Sequence, residues 1–145
     1  MELVFGTYPS WSLLIVRVVL GAIFFAHGAQ KFFGWFGGMG LRETIRSFQQ
    51  VLRIPPALAV PVAITETVGG MAMIGGLLVR VVAVMFIIHM LVAIAKVTGQ
   101  HGFFLAQRPG GNNGCEYNLV LIGMALAILV GGAGALSIDR LILPR

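Results

Sequence analysis

The sequence predicts an all-α integral membrane protein: a four-helix bundle with a short amphipathic interfacial helix between spans one and two. Three observations predict it. First, 58% of the 145 residues are hydrophobic and only 10% are charged, with a mean hydropathy of +0.95. A soluble domain carries about 25% charged residues, so this chain cannot cover itself with a polar surface. Second, four apolar stretches are long enough to cross a bilayer at about 1.5 Å per residue. Third, the first stretch, Val16 to Lys31, carries Arg17, His27 and Lys31 inside an otherwise apolar run. At about 100° per residue these three fall in one sector, with Gly21, Phe24 and Gly28 in or beside it. A polar, glycine-studded side on a lipid-facing helix has to press against other helices or a wet cavity.

In chain order, span one runs over about 11–33. Ser10 or Ser12 is placed to cap it, and Tyr8 and Trp11 suit an interfacial belt. No basic start or small-residue cleavage site precedes it, so this first apolar segment reads as retained. Phe33-Gly34-Trp35-Phe36-Gly37-Gly38 reads as a surface turn. From Leu41 to Arg53, Leu41, Ile45, Phe48 and Leu52 recur at helical spacing against Arg42, Glu43, Arg46, Gln49 and Gln50. That pattern makes an amphipathic interfacial helix. It serves either as a surface helix packed on the bundle or as a lid or partner-docking element, and Pro55-Pro56 ends it.

Span two, about 57–79, contains Glu66, with Gly69-Gly70 and Gly75-Gly76 permitting close approach. Span three, about 80–97, carries His89 and Lys96 on one face. Residues 98–116 read as an irregular loop rich in Gly, Pro and Asn. Span four, 117–138, is 22 residues without a charge, and Asp139-Arg140 ends it. The whole chain, 1–145, reads as a single transmembrane domain.

The polar residues concentrate at one level. Let side A be the side of the N-terminus and side B the opposite side. His27, Glu66 and His89 lie about 9, 14 and 12 Å inside the side-B ends of their spans. Lys31, Lys96 and Glu116 lie near that boundary, and His101 is in a side-B loop. Arg17 lies about 9 Å from side A, where its side chain is expected to snorkel outward. A charge in lipid costs on the order of 3 kcal/mol, so Glu66 needs a proton, a cation or water. His27, His89 and Lys31 sit at suitable depths. Two readings follow: a buried polar network that sets helix register, or a pocket for a polar headgroup, a quinone-like ring or a proton. The ligand-binding candidates are His27, Lys31, Glu66, His89, Lys96, His101 and Glu116. Arg17 and Asp139 are structural polar residues, and no residue is assigned a catalytic role.

Other classes are excluded or set aside. His27, Glu66, His89 and His101 offer metal ligands, but no HxxxH or HxxE pair presents two on one turn, so a hydrogen-bonded network is expected and no metal. The lone Cys115 excludes an intrachain disulfide or a CxxC pair. The net charge of +5 sits mainly at segment ends and orients helices, so no nucleic acid is implied. Loops on side B carry Lys31, Arg42, Arg46, Arg53, Lys96 and Arg108, against Arg80, Arg140 and Arg145 on side A, which puts side B in the cytoplasm.

These residues together resemble the DoxX family of small bacterial membrane proteins. The resemblance is carried by Arg17…Gly21…His27-Gly28…Lys31-Phe32, by Glu66…Gly69-Gly70, by His101-Gly102-Phe103-Phe104 and by Glu116-Tyr117-Asn118-Leu119. It closes on Gly132-Ala133-Gly134…Ser137-Ile138-Asp139. The run Arg108–Cys115 has no counterpart in that pattern. The resemblance implies a multi-pass four-helix bundle in the bacterial cytoplasmic membrane. The family is similar to DoxD, the membrane subunit associated with thiosulfate:quinone oxidoreduction, and is linked to membrane oxidoreductase complexes that handle oxidative and thiol stress. The expected function is thus a membrane subunit of a redox complex, binding a quinone or similar lipid-soluble ligand beside a soluble or membrane redox partner protein. No haem, flavin or iron–sulfur motif is present, and no covalently bound cofactor is expected. The alternative is a non-enzymatic membrane scaffold or a small solute or lipid transporter.

Overall fold

A computed structural model describes residues 9–50, 53 and 55–142. Tyr8, Leu52 and Arg145, which enter the sequence argument above, lie outside the described residues. The elements are α1 (Trp11–Phe32), α2 (Gly40–Gln50), α3 (Ala59–Gly75) after a 3-10 turn at Pro56–Leu58, α4 (Val79–Ala93), α5 (Glu116–Gly131) and α6 (Ile138–Ile142). A π-helical turn (Ile94–Thr98) and a 3-10 turn (Gly99–His101) continue α4. No strand occurs among the described residues.

Each spanning helix buries one stripe. On α1 the stripe is Arg17, Leu20, Gly21, Phe24 and Gly28. On α3 it is Ala59, Ala63, Glu66, Gly70 and Met73. On α4 it is Val79, Val82, Ala83, Phe86 and Met90, and on α5 Asn118, Leu121, Ala125 and Ile128. Steps of three and four keep each set on one face. The opposite faces expose Ile15, Val19, Val68, Met71, Ile88, Leu91, Val120 and Val130. In water that apolar surface would be a liability; in lipid it is the solvent-facing side.

Helix α1 packs on α3 and α5, and α4 packs on the same two. The four spans therefore form a ring in which α1 faces α4, and α3 faces α5, across the middle. The α1–α3 seam is closest, because a methyl group added at Gly21 would stand 2.8 Å from the Gly70 carbonyl oxygen. Across the centre, Phe24 stacks on Phe86 with ring centroids 3.6 Å apart and planes 5° from parallel. With Leu20, Met73, Val82, Ala83, Ala125 and Ile128 the pair forms a continuous apolar layer. That layer separates a polar level on side A from a polar level on side B.

Ser10 caps α1, its hydroxyl accepting from the Leu13 N–H at 3.3 Å. The amphipathic segment is helical and packs on α1 and α3, with Thr44 buried and its hydroxyl donating to the Lys31 carbonyl at 3.3 Å.

Two expectations are corrected. The fourth span is not one helix over 117–138. It stops at Gly131, and its 16 residues rise only about 24 Å. Gly132 and Gly134 take positive φ (80° and 73°), as does Leu136 at 47°, so the chain turns before the membrane-length stretch is used up. Nor does Arg17 snorkel. It is 1% exposed, and its guanidinium donates to the carbonyls of Ala133 (2.9 Å) and Leu136 (3.0 Å). The turn strips those carbonyls of helical partners, and the guanidinium supplies the missing donors. Buried Asp139 balances its charge. The Asp139 carboxylate in turn accepts from the N–H groups of Leu78 (2.7 Å) and Val79 (3.1 Å), capping α4.

Candidate functional site

Side B holds a cavity of about 230 Å³ enclosed by α1, α3, α4, α5 and the loop that precedes α5. Its polar centre is Glu66. The Ala63–Glu66–Gly70 stripe turns this carboxylate inward, where it is 2% exposed. One oxygen, Oε1, accepts from His89 Nε2 at 2.9 Å and from Lys31 Nζ in a short ion pair. The other, Oε2, is buried without a hydrogen-bond partner among the described residues. Lys31 reaches the site because it follows Gly28 by three residues on the buried face of α1. Its ammonium has three donors; Glu66 takes one, and the side chain remains 28% exposed toward the cavity mouth. His89 packs edge-on against Phe24, with ring centroids 6.1 Å apart, so the aromatic layer is the floor of the cavity and the imidazole stands on it.

The walls differ. Glu66 and Met90, on α3 and α4, are buried, whereas His27 on α1, Tyr117 on α5, and Leu105 and Asn113 in the loop are exposed while still lining the cavity. These four mark the mouth. It is bordered by α1, α5 and the loop. Exposed aromatics flank that end of the bundle: Phe33 stacks on Trp35 at 4.9 Å, and Phe103 meets Phe104 edge-on at 5.2 Å. Aromatic side chains settle at the level of the headgroups, so the mouth lies near that boundary of the bilayer.

The loop has defined geometry. The N–H groups of Gly114, Cys115 and Glu116 donate to the carbonyls of Phe104, Gly102 and Phe103 at 2.9, 3.1 and 2.8 Å. Glu116 Oε1 accepts from the Leu105 N–H at 2.8 Å, and Asn113 Oδ1 from that of Ala106 at 3.0 Å. The cover over the cavity is therefore this loop. Helix α2, for which a lid role was one expectation, contributes no lining residue.

Of the sequence candidates, His27, Lys31, Glu66 and His89 come together around one cavity. Lys96, His101 and Glu116 do not line it. Lys96 and His101 are exposed on the outer surface, because the π-helical turn shifts the register after Ala93. Glu116 holds the loop. Sequence reasoning assigned no role to Thr98, Tyr117 and Asn118, which line the cavity; an amide in a span without charges was the available signal. Among the described residues no group of three or more His, Cys, Asp or Glu side chains is placed to hold a metal ion.

Residues 12–99 match the sequence model of the DoxX family. The chain belongs to the DoxX family. It is 32% identical over 126 residues to "Putative oxidoreductase CatD" of Bacillus subtilis (strain 168), a match covering 87% of this chain and 83% of that protein. No solved structure matches. Three helices of this DoxX chain, counted through their flanking turns as Trp11–Phe32, Pro56–Gly75 and Val79–His101, are long and apolar enough to cross a membrane, and Glu116–Gly131 is a shorter apolar helix. It is a multi-pass membrane protein.

Proposed function

We propose that this DoxX chain is the membrane subunit of a redox complex and that its side-B cavity binds a quinone or similar lipid-soluble ring. The observation that carries the reading is the Lys31–Glu66–His89 cluster: three ionisable side chains joined to one another beside a cavity with apolar walls, at a depth where unpaired charge is costly. At about 230 Å³ the cavity has room for a ring-sized ligand. The mouth, near the headgroup level, suits a ligand that arrives from the bilayer.

The residues fit such a ligand. Lys31 has donors left for a ring oxygen, and Phe24, Ile23 and Leu121 offer apolar contact. A bound quinone would accept two electrons and two protons, the electrons coming from a reduced partner protein, since the chain carries no redox motif. Glu66 and His89 share a hydrogen bond and can hold a proton on either side of it; Lys31 stabilises negative charge at the mouth. The oxidoreductase name of the relative supports the redox half of this reading. A transporter is less well supported, because the Phe24–Phe86 layer closes the middle of the bundle. On this reading the protein works in the bacterial cytoplasmic membrane, with the basic side B facing the cytoplasm.

The test uses purified protein in lipid nanodiscs and a short-chain 1,4-benzoquinone. Saturable binding to the wild type, weakened tenfold or more in Glu66→Gln at unchanged thermal stability, supports the proposal. Equal binding by both proteins overturns it and leaves the cluster a structural one.

A further inference from the structure

Asn118 lines the same cavity as Glu66, from a different helix. It lies on α5, the helix facing α3 across the ring, and is 7% exposed. Its amide is held at both ends. The Thr98 hydroxyl donates to Oδ1 at 3.0 Å, and Nδ2 donates to Met90 Sδ at 3.4 Å. Thr98 lines the cavity at the end of the π-helical turn Ile94–Thr98. Such insertions are costly to keep and recur at functional sites. The sulfur sets which way the amide faces: turned over, the amide could still bond the Thr98 hydroxyl, which donates or accepts, but would lose its bond to Met90 Sδ, which only accepts, so the nitrogen is held on this wall. That nitrogen has two hydrogens, and a thioether, a weak acceptor, takes one.

The cavity therefore has two polar poles, Lys31–Glu66–His89 on one side and the Asn118 NH2 group on the other, with Phe24, Ile23 and Leu121 between them. We infer that Asn118 is a specificity-determining residue and that the ligand class is a ring bearing oxygen at opposite ends, one oxygen held at the Lys31–Glu66–His89 pole and the other accepting from Asn118. This rests on the reading of the cavity as a ring-binding site. A lipid headgroup or fatty acid, polar at one end only, engages the first pole and gains nothing from the second.

Two probes separate these cases in nanodiscs under anaerobic conditions: 2,3,5-trimethylhydroquinone and 2,3,5-trimethylphenol, which lacks the opposite oxygen. One neutral hydrogen bond is worth about 1.4 kcal/mol at most, or about tenfold in affinity. Asn118→Leu is expected to weaken the hydroquinone about tenfold and leave the phenol unchanged. Thr98→Val, which removes one of the two bonds that hold the amide against the wall, is expected to produce the same selective loss at about threefold, and it carries the test should Asn118→Leu fail to fold. Glu66→Gln is expected to weaken both probes. Equal effects of Asn118→Leu and Thr98→Val on the two probes, or none on either, overturn the role of Asn118 while the cavity reading stands on the Glu66→Gln result. Should neither probe bind the wild type, or Glu66→Gln change neither, the cavity reading falls and this inference with it.

Discussion

The two polar levels of the bundle bury similar chemistry in opposite ways. On side A, Arg17 and Asp139 spend their hydrogen bonds on backbone: two carbonyls for the guanidinium, two N–H groups for the carboxylate. Gly76 makes that contact possible, since a methyl group there would collide with the Arg17 guanidinium. On side B, Lys31, Glu66 and His89 bond to one another and border a cavity. A charge tied to backbone holds a turn and a helix end in place. A charge tied to other side chains beside open space can exchange partners, which is what binding requires. The first level thus reads as architecture and the second as a site, although both hold an acid and a base within the membrane.

That contrast is broken most decisively at Arg17. Arg17→Leu leaves the Ala133 and Leu136 carbonyls and the Asp139 charge without their partner, and is expected to cost about 3–5 kcal/mol, read as a large loss of thermal stability in matched detergent. Arg17→Lys keeps the charge but not the two-pronged reach. It is expected to cost about 1–3 kcal/mol, where a snorkelling arginine would have tolerated the change.

The side-B acid behaves differently on this account. Glu66→Leu strands His89 and a partly exposed Lys31, whose access to water softens the penalty to about 2 kcal/mol. Glu66→Gln is expected to fall within about 1 kcal/mol of the wild type, so the pair of substitutions separates stability from ligand binding in one protein. A Glu66→Gln loss as large as that of Arg17→Leu would erase the distinction between the two levels.

Smaller effects sharpen the boundary of the site. Glu116→Ala removes the acceptor that holds the Leu105 N–H, an expected cost of about 1 kcal/mol. Hydrogen exchange over residues 102–116 should rise, while the spans α1 and α3 keep their protection. Lys96→Gln and His101→Gln lie outside the cavity and are expected to change stability by less than about 0.5 kcal/mol, with quinone affinity unaltered. A tenfold loss of affinity in either would extend the site beyond the lining residues.

The helices and the inner stripe of α1 were legible in the sequence because lipid leaves the chain little choice. Backbone polar groups in hydrocarbon have to be paired within the helix, so apolar length sets the spans, and on α1 polar and small residues at steps of three and four mark the inner face, whereas on α5 the small residues Gly123 and Ala127 face outward. The common depth of His27, Glu66 and His89 followed from the same arithmetic of rise per residue. Depth, however, does not fix partners. Lys96 shared a face with His89 by spacing, and both it and His101 lay at the same end of the bundle, but the π-helical turn, a register shift that no periodic pattern records, leaves them on the outer surface. The end of the fourth span was decided by the Gly132–Leu136 turn and by the arginine that satisfies its carbonyls from 116 and 119 residues away. The second pole of the cavity depended on Thr98 meeting Asn118 across two helices. Local composition and helical period determined where the spans lie, which side of α1 faces inward and at what level the ionisable residues sit. Only the packed bundle decided which of them meet, because hydrogen-bond partners distant in the chain are set by how the helices are rotated and where they stop.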